Sequence, residues 1–269
     1  MSYFNGIPSN GTSLSLSEKY LADTVLVDTL KVQAGWQQSV TILNHDSWLM
    51  IAGPTDYPTP IRNLAIRQGP SISAEEFLQH ACDFFFPLKR AFSIICRDEE
   101  TDLQTVLMKF SARSLGRQCR MFCGQPFLRD SYPALQTQKM QTAETLESLI
   151  RVSERAFSYP DGEVRASFSN ERAVLNKSVI GRIGYEGSNP VTCGLAVCYQ
   201  TTAIIDWVAT VKEARGKGFA KECINQLCVD CFDNGCNTIF LTSTASGLNL
   251  YHHLGFRVFS YLHTYLVTP

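Results

Sequence analysis

Segment 203–220, AIIDWVATVKEARGKGFA, constrains the fold of this chain more than any other stretch. Its first part, with Ile204, Ile205, Trp207, Val208 and Val211, has the β-branched and aromatic composition of a buried strand, and one carboxylate, Asp206, is set into it. A short charged turn follows, and then Arg215, Gly216, Lys217, Gly218, Phe219 and Ala220. From Ala220 the apolar positions 220, 223, 224, 227, 228 and 231 recur at helical spacing as far as Asn234-Gly235, a C-terminal stop signal. Strand, glycine-rich turn and helix in direct succession make a seat for an anion. Glycines let the backbone approach a bulky group, while the first N–H groups of the helix and its dipole point at the negative charge. An ordinary strand-to-helix turn also uses glycine, so the surrounding spacing has to decide between the two uses.

Two familiar phosphate loops are excluded by that spacing. A Walker loop requires Ser or Thr after Gly-Lys, and Gly218 stands there; a G-x-G-x-x-G dinucleotide loop requires a third glycine where Lys221 stands. The text Arg215-Gly216-Lys217-Gly218-Phe219-Ala220 reads R-x-x-G-x-A, which resembles the acyl-CoA pyrophosphate loop of the GNAT acetyltransferase superfamily. The likeness continues downstream. Residues 238–244 read as a strand and 247–254 as a short helix, and Leu250-Tyr251-His252-His253-Leu254-Gly255-Phe256 looks like the family's L-Y-x-x-x-G-F segment. Thr244 stands where the family often has asparagine, and Gly247 where it often has alanine.

The resemblance implies an α/β fold with a mixed (α+β) sheet and acetyl-CoA as co-substrate. Its acceptor would be a small-molecule or peptide amine that attacks the thioester directly in a ternary complex. It further implies that the amides from Lys217 through Phe219 and Ala220 to Lys221 hold the diphosphate, with Gly216 and Gly218 giving access and Arg215 and Lys217 adding charge. Val208, Ala209, Thr210 and Val211 would offer backbone to the pantetheine arm, an amide near Val208 polarising the thioester carbonyl. Thr244 and Leu248 would complete the cofactor contacts. Tyr251 is the implied proton donor to the departing thiolate, a task suited to a phenol whose ordinary pKa is about 10. A packing aromatic at that helix position is the alternative. Asp206 is the candidate general base, since a carboxylate in an apolar strand is costly unless it faces a cleft or has a partner. An ion pair with an Arg or Lys of the other half is an equally good reading, and a water can carry the proton instead. The rival to an enzyme is a CoA-binding regulatory or interaction protein that keeps the loop without turnover.

The remainder of the 269-residue chain accommodates two modest domains. With 45% hydrophobic and 18% charged residues it is globular in composition, and 24 basic against 25 acidic residues give no electrostatic case for nucleic acid or an anionic membrane. No run approaches a membrane span, and the polar N-terminus lacks the basic and apolar regions of a signal peptide, so a cytoplasmic protein is expected. The ten cysteines then read as reduced thiols. Cys223, Cys228 and Cys231 echo a ferredoxin spacing but fall on the apolar helix stripe, so they read as core and no metal is expected. His252 and His253, adjacent on a helix, diverge too far to share a metal.

Residues 1–17 read as a leader, 18–130 as a degenerate GNAT-like amino-terminal lobe without a cofactor loop, 129–134 as a linker, and 135–269 as the catalytic lobe. The two lobes stand in tandem, each a mixed sheet flanked by helices. In the first half, helices are expected at 18–33, 73–86 and 101–115 and strands at 39–43, 47–53, 63–68, 91–96 and 118–127. In the second half a helix is expected at 142–157, and paired strands at 178–186 and 191–200 lead into the central strand. Either a monomer or a homodimer is compatible with this pattern.

Overall fold

The computed structural model describes residues 14–58, 62–124 and 135–269. The expected linker and nearly all of the expected leader lie outside these. Helix α1 (Leu16–Ala34) opens on a capping box in which the Ser15 hydroxyl accepts from the Glu18 N–H and the Glu18 carboxylate accepts from the Ser15 N–H. Next come the hairpin β1 (Thr41–His45) and β2 (Trp48–Ala52), then β3 (Leu64–Arg67), α2 (Ala74–Phe85) capped by Ser73, and β4 (Phe92–Arg97). Helix α3 (Thr101–Lys109) is shorter than its pattern predicts, and β5 (Arg113–Cys123) starts earlier. Ser111 takes a left-handed φ of 61°, which stops the helix, and residues 113–117 find ladder partners in the C-terminal strand.

The second half begins with β6 (Gln136–Lys139) and α4 (Ala143–Ala156), whose Thr142 and Thr145 cap each other. Two short helices, α5 (Glu163–Ser167) and α6 (Glu171–Val174), occupy a stretch to which the sequence pattern assigns no helix or strand. There follow β7 (Val179–Glu186), β8 (Asn189–Tyr199), β9 (Thr202–Thr210), α7 (Phe219–Asp233), β10 (Thr238–Ser243), α8 (Leu248–His253) and β11 (Arg257–Val267).

All these strands join one mixed sheet in the order β1-β2-β3-β4-β11-β5-β10-β9-β8-β7-β6. Only β3/β4 and β9/β10 run parallel. The order interlocks the halves. The last strand, β11, enters between β4 and β5, and β5, from the first half, pairs with β10 of the second. One face is covered by α1, whose Val25, Val27 and Leu30 pack over Ile204, Phe240, Ile66 and Ile95, and by α4 with α5 and α6. On the other lie α2 with α3, and α7 with α8. Helix α1 is fixed to its face by Asp23, whose carboxylate takes Arg97 Nε at 2.9 Å and Arg120 Nη1 at 2.6 Å. These largely buried partners leave α1 little freedom to rotate. Among the described residues, no helix is long and apolar enough to cross a membrane.

Candidate active site

Strands β9 and β10 pair only from Thr202↔Thr238 to Ile205↔Leu241 and then part. The cause lies on the other edge of β9. Between the partners Leu195↔Asp206 and Cys193↔Ala209, β8 advances two residues while β9 advances three, a bulge centred on Trp207. Trp207 adopts φ 53°, unfavourable for a bulky residue, and holds it because its indole is wedged edge-on against Phe157 and Phe168, at 5.9 and 4.5 Å between centroids. From Asp206 onward the β10-facing edge of β9 has no strand partner, and the two strands form the walls of a cleft of about 810 Å³.

At the end of β9 a 3-10 turn, Lys212–Ala214, leads into the glycine loop. Gly216 and Gly218 both lie in the left-handed region, at φ 77° and 80°, and a Cβ built on Gly216 meets nothing within 4 Å. Gly218 is the N-cap of α7, a 15-residue helix, so the unpaired amides of its first turn lie at the cleft rim, where Gly216, Gly218, Phe219, Ala220 and Lys221 are found. Gly194 lets α7 come this close to the sheet. A Cβ there would stand 2.6 Å from Ile224 Cδ1 and 3.2 Å from Leu227 Cδ2.

Two titratable groups face the cleft from opposite walls. Asp206 is exposed to the cleft, and the partial desolvation of its site raises its carboxyl above the ordinary carboxylate range. Two hydrogen bonds oppose the rise, one from Gln33 Nε2 to Oδ2 at 2.8 Å and one from the Trp207 N–H to Oδ1 at 2.7 Å. Tyr251 of α8 sits with its ring edge-on to Phe256 and is 7% exposed. Burial, with a smaller contribution from the Asp206 charge, pushes its phenol well above the usual tyrosine value, so it stays protonated at any neutral pH.

Residues 131–256, which run through this site, match the family model described as Acetyltransferase (GNAT) family. Residues 131–256 form a GNAT-like domain. Among curated proteins none matches the sequence. Solved structures resemble the whole chain in fold. A GCN5-related N-acetyltransferase from Kribbella flavida has a TM-score of 0.71 at 14% identity, over 93% of this chain and 95% of that one. A GCN5-related N-acetyltransferase from Sphaerobacter thermophilus gives 0.66 at 10%, over 95% and 94%. A tandem GNAT protein from the clavulanic acid biosynthesis pathway gives 0.60 at 9%, over 96% and 97%. The GNAT fold, including its tandem form, therefore accounts for the mixed sheet expected from the sequence.

Within the GNAT domain the structure gathers Asp206, Val208, Ala209, Thr210, Arg215, Gly216, Gly218, Phe219, Ala220, Lys221, Thr244 and Tyr251 around the cleft. It does not bring Val211, Lys217 or Leu248 to that lining. The Val211 N–H points away, donating to Val191 O at 3.0 Å, and Leu248 packs in the core under α8. Lys217 pairs with Glu186 at 2.9 Å. Arg215 turns back to tie the loop down, its Nε on Thr210 O at 3.0 Å and its Nη2 on Ala156 O at 3.3 Å. Thr244 shares a hydrogen bond with Ser246 at 3.0 Å. Cys223, Cys228 and Cys231 are fully buried along α7, and His253 is tied to Asn249 O; no cluster of metal-ligating side chains occurs among the described residues.

Sequence reasoning missed Gln33, Leu26 and Leu30 of α1, Gln118 of β5, Tyr159 after α4, and Leu262 and Thr264 of β11. In the first half, the place equivalent to the β9/β10 split is shut. Arg97 Nη1 donates across it to Arg67 O at 2.8 Å, and Arg67 is itself held by Glu100 and Asp102. That half has its parallel pair, tied together beyond the ladder by the Arg97 side chain.

Proposed function

We propose that this chain is an acyl-CoA-dependent N-acyltransferase that moves an acetyl group from acetyl-CoA to a primary amine by direct attack in a ternary complex. One observation carries the reading: β9 parts from β10 at a bulge, and its open backbone edge leads straight to two left-handed glycines and the first turn of α7. An extended amide-bearing arm fits the first feature and a diphosphate the second. When bound, acetyl-CoA supplies the activated acyl group. The protein supplies orientation, proton transfer and electrostatic stabilisation.

Asp206 is the proton acceptor in this scheme. Its raised pKa brings it nearer to the working range of a base, and the Gln33 and Trp207 N–H groups hold the carboxylate in place as it ionises. An ammonium group entering the cleft meets this carboxylate, gives up its proton there directly or through a water, and becomes the nucleophile. The edge of β9 that β10 leaves beyond Ile205 would supply an amide, near Val208, to stabilise the negative charge developing on the carbonyl oxygen. Tyr251 then donates its phenolic proton to the leaving sulfur and recovers it from solvent.

The test is calorimetric titration with acetyl-CoA and, separately, with NAD and ATP, followed by an acceptor screen read as thiol release. Tight binding of acetyl-CoA alone, with amine-dependent release, is the expected result. Failure of acetyl-CoA to bind refutes the reading; stoichiometric binding with no turnover on any amine makes the chain a CoA-binding regulator.

A further inference from the structure

The acceptor end of the cleft is built from both halves of the chain and carries a narrow chemistry. Leu26 and Leu30 of α1, Ile95 of β4 and Leu262 of β11 form one wall, and Phe157 and Tyr159 close the other. Tyr159 is itself braced edge-on by Tyr57, at 6.1 Å between centroids. Among the described residues lining the cleft, Asp206 is the only carboxylate; Arg215 and Lys221 are the only full cations, and both lie at the glycine-loop end. The neutral polar groups at the acceptor end, Gln118 and Thr264, are supplied by β5 and β11.

Resting on the transferase reading above, we infer that the acceptor is a small monoamine with an apolar alkyl or aryl body, bound with its one ammonium on Asp206 and its body against the α1 wall. A polyamine or an amino sugar with several ammonium groups needs further anionic partners, and among the described residues none lines the cleft; a second ammonium would meet leucine and isoleucine or be driven towards Arg215 and Lys221. A lysine within a peptide brings flanking amides that need hydrogen-bond partners, against a wall that offers mainly hydrocarbon. An apolar body packs on that wall, and Phe157 and Tyr159, which line the cleft with Asp206, add aromatic surface beside the carboxylate. The first half of the chain thereby contributes part of the acceptor wall, while the second supplies the rest and holds the acyl donor.

The experiment compares acceptor classes on the full chain: an n-alkylamine series and phenethylamine against spermidine and a lysine-containing hexapeptide, read as thiol release, with monoamine binding followed calorimetrically in the presence of CoA. Each added methylene is expected to raise kcat/KM about three- to fourfold until the wall is covered, and spermidine is expected to fall at least tenfold below the best monoamine. In Leu26→Glu, a second carboxylate at a half-buried wall position should shift the diamine-to-monoamine ratio of kcat/KM at least tenfold towards the diamine, with acetyl-CoA affinity unchanged. Preference for spermidine or the peptide by the unaltered protein overturns the inference and leaves the transferase reading standing. A monoamine that binds without turnover does the reverse, and the absence of both binding and turnover overturns both. An unchanged ratio in Leu26→Glu, with acetyl-CoA still bound, removes α1 from acceptor selection.

Discussion

Replacing Gln33 by leucine tests the link between the first half of the chain and the proposed base. Gln33 lies next to the end of α1, is 2% exposed, and donates Nε2 to Asp206 Oδ2 at 2.8 Å. A hydrogen bond to an ionised acceptor contributes about 1.5–3 kcal/mol, and one pKa unit corresponds to about 1.4 kcal/mol, so its loss is worth roughly one to two units. The sign follows from which form the bond favours. The N–H stabilises the carboxylate and lowers a pKa that burial has already raised; without it the pKa rises further. The acid limb of the kcat/KM profile should therefore move up by about one to two pH units in Gln33→Leu, with the plateau above it changed by no more than about threefold. Stability should change little, by about 1 kcal/mol or less. Leucine has similar bulk, and the substitution removes Gln33 Oε1, a buried acceptor with no partner among the described residues. Asp206→Asn provides the reference, since it should abolish the limb altogether. An acid limb that stays in place in Gln33→Leu, in a protein that melts normally and binds acetyl-CoA, would show that Asp206 is not the group titrating in turnover.

Three further outcomes are expected. Gly218→Asp sets a carboxylate beside the α7 amides at a φ of 80° that aspartate adopts only with strain, and should weaken acetyl-CoA binding at least a hundredfold by calorimetry. Tyr251→Phe should leave that affinity within about twofold and lower kcat by about 10²–10⁴, the usual range for a lost general acid; because the phenol is held well above its ordinary pKa, the unaltered enzyme should show no loss of activity from Tyr251 ionisation below about pH 10. Gly194→Val would drive a side chain into Ile224 and Leu227 and should cost about 1–3 kcal/mol, seen as a lower urea midpoint at constant slope.

Local signals in the sequence were sufficient wherever the relevant physics is local. The glycines at 216 and 218, the apolar stripe of α7 and the capping residues Ser73 and Thr142 each act within a few residues of themselves, and each is found where its pattern places it. The Ser111 turn escaped because serine rarely takes a positive φ, and nothing in Arg113-Ser114-Leu115-Gly116 separates a last helical turn from a first strand residue. Arg215 and Lys217 illustrate a different limit. Their charges suit a diphosphate, yet the partners they take, the Thr210 and Ala156 carbonyls and Glu186, are set by chain geometry that no six-residue motif contains.

The cleft wall proposed for the acceptor could not be read at all, and the strand order explains why. Leu30, Ile95, Gln118, Asp206 and Leu262 meet at one place because β11 is threaded between β4 and β5 while β5 pairs with β10. Pairings between residues more than a hundred positions apart leave no periodicity in the sequence to detect. Buried positions on such strands accept any apolar residue of suitable volume, so Leu262 looks the same whether it faces a core or a ligand. Only Asp206 breaks the pattern, because a carboxylate on an apolar strand requires an explanation that leucine does not. The explanation includes Gln33, an ordinary-looking residue at the end of the first helix, 173 positions away, that the interlocked sheet brings within hydrogen-bond reach. On the proposed reading, in which one half of the chain holds the acyl donor and both hold the acceptor, the wall proposed for the amine keeps its position relative to the proposed base because the strands beneath them belong to the same sheet.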